Sequence, residues 1–284
     1  MDPRAFRRFK KNKGALFGAF LVVVVLSVAF IGPFISSQDP NEQYRTALLT
    51  DEGVPRGPMT VSGHPLGGDT IGRDELSRLL HGGSVSMQVA LFATGLTVLI
   101  GLYVGVTSGF FGGLYDSIAM RIVDVLLSMP FLLVAIAINR VVNNPELYAL
   151  YALLGLISWT TLARVTRAKT MQVREMEYVQ AARALGLSRA RIVFRHVLPN
   201  VLGPAIVIGT TLVAQMIIVE SAMSYLGLGV QPPRASWGSM LREGQEMMAH
   251  APRLMLYPAL FIVMAVFGFN LLGEGLRDAF DPKD

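Results

Sequence analysis

Apolar runs recur along this chain between shorter polar stretches, each about the 20 residues a helix needs to cross roughly 30 Å of hydrocarbon. They predict membrane-spanning helices near 15–36, 85–109, 117–139, 147–165, 203–223 and 255–275. The fold class is therefore all-α, a polytopic membrane protein with six crossings, and an even number of crossings puts both termini on one side. The rest divides into a basic tail at 1–14, a segment at 37–84 and a tail at 276–284. The five later runs form a core at 85–275 that includes a polar loop at 174–200.

Composition agrees with this pattern. Of 284 residues, 52% are hydrophobic and 16% charged, against about a quarter charged in soluble domains. The pI of about 9.6 invites a nucleic-acid reading. The Lys and Arg, however, lie in short blocks beside apolar runs, so no nucleic-acid partner is expected. The blocks set orientation instead. Arg4, Arg7, Arg8, Lys10, Lys11 and Lys13 precede the first run, and Arg164, Arg167, Lys169, Arg174, Arg183, Arg189, Arg191 and Arg195 follow the fourth. With Arg121, Arg277 and Lys283 they put most of the 25 basic residues on one face. By the positive-inside rule that face is cytoplasmic, with both termini on it, and 37–84 lies outside. The chain has no Cys, which excludes intrachain disulfides and thiolate metal sites.

Local features refine the spans. The first run has a basic start and the small residues Ser27-Val28-Ala29, as a signal peptide would. Its apolar character continues through Phe30, Ile31 and Phe34, so an uncleaved helix is expected. Gly95, Gly101, Gly105 and Gly109 give the second run a smooth face for a neighbouring helix. Met129-Pro130 interrupts the third, where the missing amide donor predicts a kink and makes both residues gate candidates. Arg121 and Asp124, at i and i+3, are expected to pair.

The loop at 174–200 carries the most information. Tyr178, Ala181, Ala182 and Leu185 fall at i, i+3, i+4 and i+7, the stripe of a short helix. Gly186 ends that helix in a left-handed cap. Ser188 then caps a second helix carrying Ile192, Val193 and Val197, which is expected to stop before Pro199. Physics leaves two uses for this pair. The small residues suit entry into another protein's groove, while Arg183, Arg189, Arg191 and Arg195 suit anionic headgroups of membrane lipid.

The same stretch resembles the cytoplasmic "EAA" loop of bacterial ABC importer permeases, with Ala181, Ala182, Gly186, Leu198 and Pro199 in register. Gln180 stands in place of the Glu, and His196 in place of an apolar residue. Two further stretches narrow the resemblance to the second permease subunit of dipeptide, oligopeptide and nickel importers. One is His64-Pro65-Leu66-Gly67-Gly68-Asp69-Thr70-Ile71-Gly72-Arg73-Asp74 followed by Ser77-Arg78. The other runs from Glu220 through Tyr225-Leu226-Gly227 to Pro232-Pro233, then Ser236-Trp237-Gly238.

The resemblance implies the ABC type I importer permease fold in a bacterial inner membrane. It implies half of a translocation pore for di- or oligopeptides, with nickel or glutathione as alternative cargo, working by alternating access. It also implies the partners: a second homologous permease subunit, two cytoplasmic ATP-binding subunits that hold ATP and Mg, and an extracytoplasmic substrate-binding protein. Glu177, Tyr178, Ala181, Ala182, Arg183, Leu185, Gly186, Leu187 and Pro199 are the expected ATPase-coupling residues. His64, Asp69, Arg73, Asp74 and Trp237 are candidates to face the binding protein. Met129, Pro130, Glu220 and Ser224 are pathway or gate candidates.

The remaining chemistry is read directly. His64, Asp69 and Asp74 lack regular ligand spacing and sit among Gly and Pro, which favours a folded turn over a metal site. Glu220, near the end of an apolar run, suits either a pathway residue or a rim residue reaching the interface. No Gly-x-x-x-x-Gly-Lys-Ser/Thr loop occurs and no nucleophile and base pair stands out, so no catalytic residue and no cofactor of its own are expected. A secondary transporter would place carboxylates in the middle of several spans, and those positions are almost wholly apolar.

Overall fold

The computed structural model describes residues 3–130, 133–134, 136–137 and 147–280, and among them the regular structure is helical. The helices are α1 (Pro3–Lys11), α2 (Lys13–Phe30), α3 (Gly32–Ile35), α4 (Arg45–Leu48), α5 (Glu75–Phe111) and α6 (Gly113–Ser128), followed by α7 (Leu147–Arg174), α8 (Glu177–Ala184), α9 (Arg189–Ile192), α10 (Leu198–Tyr225), α11 (Trp237–Gln245) and α12 (Arg253–Phe280). Among the described residues, four stretches are long and apolar enough to cross a membrane: α2, α5, Arg189–Tyr225 and α12. The predicted spans at 117–139 and 147–165 begin on α6 and α7, and 138–146 lies outside the described residues.

Boundaries move for identifiable reasons. Asp74 accepts the Ser77 amide at 2.7 Å as an N-cap, so α5 starts at Glu75, ten residues before its apolar run, and takes 75–84 from the segment expected to lie outside. Pro130 ends α6 rather than kinking it. Met129 before it is extended, at φ −93° and ψ 135°, as the clash with a following proline ring requires. The first run breaks at Ile31, and Pro33 begins the short α3.

Close packing of α5 on α7 organises the bundle. Cβ atoms built at Gly101, Gly105 and Gly109 would strike Leu162, Thr166 with the Ala163 carbonyl, and the Arg167 carbonyl with Thr170. Gly155 of α7 returns the approach against Leu96 and the Ala93 carbonyl. Two buried hydroxyls bridge the backbones, Thr166 to the Gly101 carbonyl at 3.0 Å and Thr97 to the Gly155 carbonyl at 3.3 Å. Gly95 does not belong to this face, since nothing lies within 4 Å of its Cβ direction. The helix period explains the split: Gly101, Gly105 and Gly109 repeat every four residues, and Gly95 is six away. α6 is tied to α7 by Arg167–Asp116 and Arg164–Asp124. Asp124 thus pairs across to α7 and not along its own helix with Arg121.

At the basic end, α2 crosses α12 through small residues. Gly18 meets Leu271 and Leu272, Gly268 meets Leu21 and Val22, and Gly275 meets Ala15. Asn12 caps α2 through the Ala15 amide and donates to Asp278 at 3.1 Å.

Residues 36–74 cover the opposite end with turns. Gly67, at φ +79°, runs so close to the Gly57 carbonyl oxygen that a Cβ would come within 2.6 Å. A buried ionic network then fastens these turns to α11. Asp69 accepts from Arg73 Nε at 2.6 Å and Arg78 Nε at 3.2 Å, while Glu243 accepts from Arg73 at 2.6 Å and Arg78 at 2.8 Å.

Two outcomes test this packing. Gly105→Leu should lower the melting temperature of the detergent-solubilised protein by several degrees, an overpacking cost of about 1–3 kcal/mol, and Gly95→Leu should leave it unchanged. Glu243→Ala leaves the buried Arg78 with fewer carboxylate partners and should cost about 3 kcal/mol. Limited proteolysis should then cut 36–74 faster than in the wild type.

Candidate functional site

The loop between α7 and α10 is a rigid bracket. Arg174, the last residue of α7, donates to the Gly109 and Phe110 carbonyls at 3.2 and 3.3 Å, and so satisfies the open C-terminal end of α5. The chain turns at the extended Met176 and α8 begins. Gln180 Nε2 reaches back to the Arg174 carbonyl at 3.1 Å and to Glu175 at 3.2 Å. That backbone contact needs an amide donor, which a Glu carboxylate does not have. This is a physical account of the Gln at that position.

Gly186, at φ +75°, caps α8. Its amide bonds the Arg183 carbonyl at 3.0 Å and the Leu187 amide bonds the Ala182 carbonyl at 3.2 Å, the paired bonds of a Schellman cap. The Ser188 hydroxyl accepts the Arg191 amide to start α9. The second helix does not stop before Pro199. A π turn over Val193–Val197, closed by the Leu198 amide on the Val193 carbonyl, carries it into α10. The extra residue in that turn shifts the hydrogen-bond ladder by one just before Pro199, in the first turn of α10, and so lets the helix pass through the proline ring.

The buried side of α8 differs from the predicted stripe. Val179 and Ala182 point inward and pack with Val106, Phe110, Val173, Ile192, Val197 and Val201. Tyr178, Ala181, Arg183 and Leu185 are exposed, Leu185 at 80%. Glu177 and Gly186 are exposed too, Leu187 is half-buried, and Pro199 lies on the surface. A bulky residue at Ala182 would therefore disturb the chain's own core; Ala181 and Ala184 are the small residues of α8 open to a partner. Phe194, 69% exposed in the π turn, lies outside the expected coupling set, and its signal in the sequence is an aromatic within a basic run. His196, the other departure, lies with its ring centroid 6.1 Å from that of Tyr178, whose hydroxyl accepts from Asn200.

At the far end a second constellation forms around Glu220, which is fully buried. Its carboxylate accepts from Ser86 at 2.9 Å and Ser224 at 2.7 Å. Ser86 in turn accepts the Trp237 amide at 3.1 Å, and Ser224 accepts the Val230 amide at 3.1 Å. Glu220 is thus a hub joining α5, α10 and the start of α11, and not a rim residue. Ser224 belongs to the same hub, whereas Met129 and Pro130 are exposed at the end of α6.

The outer candidates are also interior. His64, Asp69, Arg73, Asp74 and Trp237 are each less than 9% exposed, which removes them as direct contacts for an external protein in this conformation. His64 bonds Asp74 at 2.8 Å while Asp69 faces the two Arg, so the three do not converge on one metal. Trp237 donates to the Leu79 carbonyl at 3.1 Å, lies over Gly83 and stacks on Phe261 at 5.6 Å. The charged members are buried with opposite charges beside them, which offsets much of the cost of taking them out of water. On the surface of this segment, Tyr44 donates to Glu42 at 2.6 Å. That bond, with smaller contributions from desolvation and nearby carboxylates, pushes its pKa up to about 12.

Comparison with known proteins fits this arrangement. Residues 98–283 match the family described as "Binding-protein-dependent transport system inner membrane component", and residues 4–50 match "N-terminal TM domain of oligopeptide transport permease C". The dipeptide transport system permease protein DppC of Bacillus subtilis (strain 168) is 39% identical over 281 residues, covering 98% of this chain and 85% of that protein. The oligopeptide transport system permease protein OppC of the same organism is 37% identical over 279 residues, 98% and 88% of the two chains. OppC of Escherichia coli (strain K12) is 37% identical over 280 residues, 99% and 90%. With a helical fold, several apolar helices and matches along nearly its whole length, the chain belongs to the family of binding-protein-dependent inner-membrane transport components, as an ABC importer permease subunit of the OppC and DppC kind.

Proposed function

We propose that this chain forms half of the translocation pore of an ATP-driven importer for di- or oligopeptides, with α8 as the helix through which separate ATPase subunits drive it. The cargo reading rests on the names of the relatives, which are dipeptide and oligopeptide permeases. The observation that carries the coupling reading is the exposed face of α8: Glu177, Tyr178, Ala181, Arg183 and Leu185 project from a helix whose other side is locked to α5 and α7. A rigid knob with a small residue at its centre suits insertion into a partner's cleft.

In this reading both termini and the loop are cytoplasmic, and two ATP-binding subunits hold ATP and Mg. A second, similar permease subunit completes the pore, and an extracytoplasmic binding protein delivers peptide. Movement of α8 reaches α7 through Glu175-Met176 and reaches α10 through α9 and the continuous π turn. Force on one knob therefore turns two long helices together, the requirement for alternating access. Gly186 sets the angle between α8 and α9.

Affinity purification from the native host in mild detergent should recover the tagged chain with a second permease subunit and an ATPase. Ala181→Trp should reduce ATPase recovery about tenfold and leave the second permease subunit in place. Recovery of no ATPase with the wild type would overturn the reading. Gly186→Val should lower peptide-stimulated ATP hydrolysis in proteoliposomes about tenfold, because a β-branched residue at φ +75° costs roughly 1–2 kcal/mol or more. Gly186→Asn, which tolerates that conformation, should retain most of it.

A further inference from the structure

The loop helices enclose a charged cleft that shares Arg183 with the exposed coupling face. It has a volume of about 480 Å³ and is lined by Phe111, Arg174, Glu175, Arg183 and Arg189 among others. Three guanidinium groups thus face a single carboxylate. Both Glu175 oxygens are engaged, by Arg174 at 2.9 Å and by Gln180 at 3.2 Å. Arg174 also spends one terminal nitrogen on the Gly109 and Phe110 carbonyls. Among the described residues no carboxylate pairs with Arg183 or Arg189. The cleft thus has an uncompensated double positive charge and planar donors of the kind that grip phosphate.

The rim says where the phosphate comes from. Phe111, 53% exposed, ends the apolar helix α5, and Leu114 and Tyr115 beyond it are 78% and 46% exposed. Phe111 itself lines the cleft, so the end of an apolar, membrane-length helix forms one of its walls. A soluble anion has no use for such a wall, whereas the acyl chains attached to a lipid phosphate do.

We propose that this cleft binds the phosphate of an anionic phospholipid, with its chains along Phe111 and its headgroup between Arg183 and Arg189. The two Arg stand on opposite sides of Gly186, one on α8 and one starting α9. A headgroup held by both fixes the angle between the two helices, which makes the lipid a brace for the loop. The inference rests on the membrane placement of α5 and on no ATPase partner.

The test uses the full-length chain purified in mild detergent and offered phosphatidylglycerol or phosphatidylcholine, with bound lipids counted by native mass spectrometry. Wild type should retain phosphatidylglycerol about thirtyfold better, the scale expected for two basic side chains near a headgroup, and loss of one should cut that about fivefold. Arg189→Gln and, separately, Arg183→Gln should each hold one phosphatidylglycerol fewer, and Arg189→Lys should keep most of the preference. Equal retention of the two lipids, unchanged counts in both Gln variants, or displacement by millimolar inorganic phosphate would overturn the proposal. So would loss of the lipid when the ATPase subunits are added to the assembled complex, since the cleft would then hold a partner's acidic side chain. Failure of ATPase recovery alone leaves this lipid count unaffected, so the two readings fail separately.

Discussion

The approach of α5 to α7 is the constraint on which the rest of the chain depends. In a hydrocarbon environment apolar side chains gain little by leaving lipid, so helices associate where their backbones come close enough for dense van der Waals contact. Gly101, Gly105, Gly109 and Gly155 allow that approach, and Thr97 and Thr166 add hydrogen bonds to backbone carbonyls across it. The register of these residues fixes where Arg174 meets the end of α5, and hence where the loop begins. Asp116 and Asp124 then fasten α6 to the same helix.

The two ends of the bundle are built on different principles. At the basic end, the loop has a small apolar core of its own around Val179, Ala182 and Ile192, and polar groups mostly close helix termini. At the opposite end, charged and hydroxylic side chains are buried in quantity: Asp69, Arg73, Arg78 and Glu220 among them. Breaking one member of such a network leaves an uncompensated buried charge, so it specifies one arrangement strictly. Turns at 36–74, the start of α5 and α11 are consequently held as one unit, while the loop end keeps a single glycine at the joint between two short helices.

That division bears on transport. A subunit that changes shape between two states needs parts that move without deforming. The turns at 36–74 and the Glu220 hub tie α5, α10 and α11 together, and the bracket around Arg174 and Gln180 ties α8 to α7. The continuous π turn ties α9 to α10. In the coupling role proposed above, displacement at the loop would pass to the long helices through these ties.

The sequence by itself determined the helical membrane class, four of the six expected crossing stretches, the glycine cap at Gly186, the start of α9 at Ser188 and the family. These follow from local chemistry: apolar length, a left-handed backbone that suits glycine, a hydroxyl cap and motifs in order. Only the tertiary structure decided which face of α8 is free. Val179 and Ala182, and not Tyr178 and Leu185, meet the core, because the position of α5 and α7 sets the buried side of so short a helix. It also decided that His64, Asp69, Arg73, Asp74 and Trp237 are interior, since their partners, such as Glu243, lie up to 170 residues away in sequence. Pairing across that separation leaves no periodic trace in the chain, and only the packed bundle brings the groups together.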